Sequence, residues 1–92
     1  MKRLEIIANK SVEDNLIELF DARGIGSRYT MIPVVHGRGK SGLRRGDHVW
    51  PEENFMLIIH CEDDEAEALE EAVLEIKAAF PDEGVRCFVT GS

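Results

Sequence analysis

Apolar and polar positions alternate along this chain in six blocks. Leu4-Glu5-Ile6-Ile7-Ala8 is a short apolar run that predicts a first strand. Ser11 then opens a predicted helix, with Asp14 three residues on completing a capping-box pattern and Leu16, Leu19, Phe20 and Arg23 at helical spacing. Gly24 and Gly26 end it. Tyr29 to Val35 is apolar and β-branched enough for a second strand, and Pro33, which has no N–H to donate, places that strand at a sheet edge. Phe55-Met56-Leu57-Ile58-Ile59 is apolar at every position, the pattern of a central strand buried on both faces. Asp63 and Asp64 are expected to cap a second helix, whose apolar stripe is Ala66, Leu69, Val73, Ile76 and Phe80 and whose remaining surface carries Glu65, Glu67, Glu70, Glu71 and Glu75. Pro81 and Gly84 stop it, and Val85 to Thr90 forms the last strand.

The order strand, helix, strand, strand, helix, strand is the split βαβ of a ferredoxin-like α+β fold: a four-stranded antiparallel sheet with two helices on one face. The other face is left open, with Ile7, Met56, Ile58 and Phe88 as candidates to line it, and an apolar face of that kind predicts a homo-oligomer. Ninety-two residues form one domain, 1–92. The connection at about 36–52 departs from the rest.

Between His36 and Trp50 fall four of the eight glycines and four of the eleven Lys/Arg residues, Arg38, Lys40, Arg44 and Arg45, in a chain whose net charge is −7. Glycine-freed N–H groups beside cationic side chains suit an anionic ligand or an acidic protein surface, so this segment is read as a long mobile loop that carries function. Trp50 is expected to anchor its return. The acidic balance argues against a nucleic-acid binder. No stretch approaches the roughly 20 apolar residues of a membrane span, and the start Met1-Lys2-Arg3-Leu4-Glu5 meets an acid too soon for a signal peptide, so the expected compartment is the cytoplasm. Cys61 and Cys87 read as two reduced core thiols.

Gly37-Arg38-Gly39-Lys40-Ser41-Gly42 satisfies the G-x-G-x-x-G pattern of dinucleotide sites, but no helix follows to hold a pyrophosphate. A P-loop reading of Gly39-Lys40-Ser41 fails because its first glycine would fall at Val34. His36 and His48 bracket the loop as metal candidates, with His60-Cys61 as a further donor, at spacings that match no standard site. No catalytic arrangement of nucleophile and base is placed by the sequence, and no cofactor is named by it.

The element order, the second strand running into Gly37-Arg38-Gly39-Lys40, and the later Arg45-Gly46 before an apolar third strand resemble the PII signal-transduction proteins and their PII-like relatives. The resemblance covers nearly the whole chain in topology and about ten residues in motif. It implies a non-catalytic homotrimer that binds a small anionic effector in clefts between subunits and signals through its long T-loop to a target protein such as a membrane transporter. By this resemblance Gly37, Arg38, Gly39 and Lys40 contact ligand, while Arg44, Arg45, His48 and Trp50 belong to the partner-binding loop.

Three departures bear on the effector. Gly39 stands where the family has the glutamine that helps hold Mg and 2-oxoglutarate. The second phosphate-binding loop is reduced to Pro81-Asp82-Glu83-Gly84, whose acids repel phosphate, and the sequence given reaches Ser92 without the C-terminal arginines of the standard ATP site. A divergent PII-like regulator is therefore expected rather than a standard nitrogen sensor. The alternatives are a metal-binding trimer of the divalent-cation tolerance type and an enzyme subunit or ligand-sensing module of the ACT type.

Overall fold

A computed structural model of the chain describes residues 1–37 and 53–91. It contains β1 (Lys2–Asn9), a 3-10 turn (Lys10–Val12), α1 (Glu13–Arg23), β2 (Thr30–Val35), β3 (Asn54–Cys61), α2 (Asp63–Ala79) and β4 (Val85–Thr90). The strands form one antiparallel sheet in the order β2-β3-β1-β4, the expected ferredoxin-like topology. β2 is an edge strand, as Pro33 requires, and its register with β3 is irregular between Ile32 and Val35, on either side of that proline.

The core lies between the sheet and the helices. Leu4, Ile6 and Ala8 from β1, Phe55, Leu57, Ile59 and Cys61 from β3, and Val85 from β4 meet Leu16 and Phe20 of α1 and Ala66, Leu69, Ala72, Val73 and Ile76 of α2. Phe80, expected to finish the α2 stripe, is the half-buried C-cap. Each fully buried Leu, Ile or Phe side chain stabilises by roughly 1.5–3 kcal/mol, so this one contiguous cluster is the main source of stability.

Three expectations are corrected. β3 is central but is fully buried on one face only: Phe55, Leu57, Ile59 and Cys61 are covered, whereas Met56 and Ile58 are half-buried and His60 is exposed. The cap at the start of the first helical segment is Asn9, whose side-chain oxygen accepts from the Ser11 N–H at 2.9 Å; Ser11 lies inside the 3-10 turn, and Val12 at the α1 N-cap makes no side-chain bond. α2 begins after Glu62, so Asp63 and Asp64 occupy its first turn with Glu65 and act on the helix dipole rather than as caps. At the other end of α1, Gly24 is left-handed at φ 66°, the conformation a helix C-cap demands.

Cys61 and Cys87 are free thiols. Their partners on β1 are Lys2 and Ile6 respectively, which sets them two strands and four residues apart, roughly 15 Å, far beyond disulfide reach. No helix among the described residues is long and apolar enough to cross a membrane.

Candidate functional site

Antiparallel pairing sorts the polar features to the two ends of the sheet. At one end β2 runs out into His36 and Gly37, both exposed, beside the start of β3, where Val35 pairs with Asn54. The exit of β1 is fastened to both neighbouring connections: the Asn9 N–H donates to the Gly84 carbonyl at 2.8 Å and the Lys10 N–H to the Glu53 carbonyl at 2.9 Å. The root of the long connection and the Pro81–Gly84 turn therefore share one end of the sheet. They stand at opposite edges, three strand spacings or roughly 14 Å apart.

Of the residues assigned to ligand by the family resemblance, Gly37 is described, and a Cβ there would meet nothing within 4 Å among the described residues. Arg38, Gly39, Lys40, Arg44, Arg45, His48 and Trp50 lie outside the described residues. His36 is exposed at the end of β2, and His60 lies six positions along β3 from the partner of Val35, roughly 20 Å away, so the two cannot share a metal within one chain. Among the described residues no cluster of three or more His, Cys, Asp or Glu side chains is placed to hold a metal ion.

The face of the sheet away from the helices is partly apolar. Ile7 opposes Met56, Met56 opposes Ile32, and Phe88 and Ile58 flank Glu5 on either side. Phe88 is 48% exposed and Ile32 39% exposed. The one described carboxylate within this face, Glu5, accepts from Arg3 at 3.1 Å on the same strand.

At the opposite end of the sheet from Gly37, Arg28, Tyr29 and Thr30 lead into β2 and line an open groove with Ile58 and His60 of β3, about 330 Å³ in volume. Sequence reasoning missed this groove. Its signal is the cross-strand register, which brings Thr30 to Ile58 across twenty-eight positions.

Burial pushes the Cys87 thiol up to about 11, with Glu70 adding to the effect, and burial likewise raises Cys61, helped by the acids that open α2. On the helix layer the Arg23 guanidinium is ion-paired with Glu75 and holds that carboxyl below its ordinary value.

A four-stranded antiparallel sheet, two helices on one face and a long connection at one sheet end define a ferredoxin-like domain. A sequence model of the family "Nitrogen regulatory protein P-II" matches residues 1–91, and the chain belongs to that family. No curated protein sequence matches it. Among solved structures, it is similar to CPII, a nitrogen regulatory PII-like protein from Thiomonas intermedia K12, bound to ADP, AMP and bicarbonate, with TM-score 0.71 and 23% identity over 97% of this chain and 82% of that one. The same protein bound to ADP and bicarbonate gives 0.70 at 25% identity, with the same coverage. A candidate PII-like signaling protein from Thermus thermophilus gives 0.64 at 22% identity, over 97% of this chain and 83% of that one.

Proposed function

We propose that this protein is a non-catalytic PII-like regulator: a cytoplasmic homotrimer that senses a small anionic effector and signals through the basic segment after Gly37 to a target protein such as a transporter. The observation that carries this reading is the family match over residues 1–91. The apolar open sheet face supports the assembly, because covering Met56, Ile58, Ile7, Ile32 and Phe88 with other copies removes from water apolar side chains that the described residues leave outside the core. The positions of Gly37 and the Pro81–Gly84 turn support effector sites built between subunits, since these connections stand at opposite edges of the sheet within one chain.

The ligands of CPII set the chemistry to try first: ADP, AMP and bicarbonate. Exposed Asp82 and half-buried Glu83 oppose phosphate, so nucleotide binding here is expected to be weaker than a lysine-bearing turn would give. Isothermal titration of the full chain with each ligand tests the reading. Saturable binding of at least one supports it, and no heat from any of the three contradicts the effector role.

Target engagement is tested separately. Charge-assisted contacts contribute roughly 1.5–3 kcal/mol each, so Arg44→Ala/Arg45→Ala should weaken binding to a target that co-purifies with the parent, most of all at low salt. Unchanged affinity would assign those charges to solubility.

A further inference from the structure

We draw no further inference here: the strongest candidate, the acidic outer face of α2 where Glu67, Glu70 and Glu71 surround the exposed Leu74, is a surface patch that carries nothing, because no second feature among the described residues shows what covers it.

Discussion

The backbone N–H of Gly26 donates a 2.9 Å hydrogen bond to Oε2 of Glu65, tying the connection between α1 and β2 to the first turn of α2. Gly26 is buried, has φ 63°, and a Cβ there would stand 3.1 Å from both Leu69 Cδ2 and Phe20 Cδ2. Backbone conformation and packing thus both select glycine. Gly26→Ala is expected to lower stability by about 1–3 kcal/mol in urea unfolding, from left-handed strain and displaced core side chains. Glu65→Ala should cost about 1.5–3 kcal/mol, and Glu65→Gln, which keeps an acceptor oxygen, distinctly less. Equal losses for the two Glu65 variants would mean the bond contributes nothing.

Arg23 and Glu75 link the exposed sides of α1 and α2. Their hydrogen bond lowers the Glu75 pKa from its ordinary 4.5. A lowered folded-state value gives stability that is present above the ordinary carboxylate range and lost as pH falls through the depressed one. Carboxyl NMR titration should show Glu75 titrating below its ordinary 4.5, and Arg23→Ala should raise it toward that value. Both groups are solvent-exposed, so the effect on global unfolding should be small.

Cys87 behaves in the opposite sense. Its thiol stays protonated in the folded chain until about pH 11, whereas the unfolded chain ionises near the ordinary value of 9.0. The stability it contributes is fully present below that ordinary value and is lost as pH rises toward about 11. Iodoacetamide modification of the native protein should remain slow at pH 8 to 9, and Cys87→Ala should reduce the alkaline loss of urea resistance. Rapid native-state modification of Cys87 at pH 8 would show that its burial is not maintained in solution.

The fold is legible in the sequence where one physical cause dominates. Missing N–H chemistry at Pro33 places β2 at the edge, helical spacing finds the α2 stripe, and glycine ends α1. An unbroken apolar run such as Phe55 to Ile59 does not say whether its second face is covered by the same chain or by another molecule, so β3 reads as doubly buried when one face is left half-open. The start of α1 is displaced because Asn9, two residues upstream of Ser11, satisfies the first free N–H instead. The Arg28 to His60 groove leaves no local pattern, since cross-strand register alone brings its two halves together.

If the open face is an interface, a charge placed in it should separate subunits without unfolding them. Met56 is half-buried in the single chain, and Met56→Glu would place a carboxylate in a desolvated contact, a cost of several kcal/mol when unpaired. The expected outcome is a smaller species by light scattering with a native far-UV spectrum. A variant that assembles like the parent would move the interface elsewhere.

Native mass spectrometry of the full chain with ADP, AMP and bicarbonate tests the central claim most directly, because it reads subunit number and bound effector in one spectrum. The predicted result is a species of three times the 10.3 kDa chain carrying bound ligand, lost to the unliganded form when the small molecules are removed. A 10.3 kDa monomer without ligand at micromolar concentration would contradict both the assembly and the effector role.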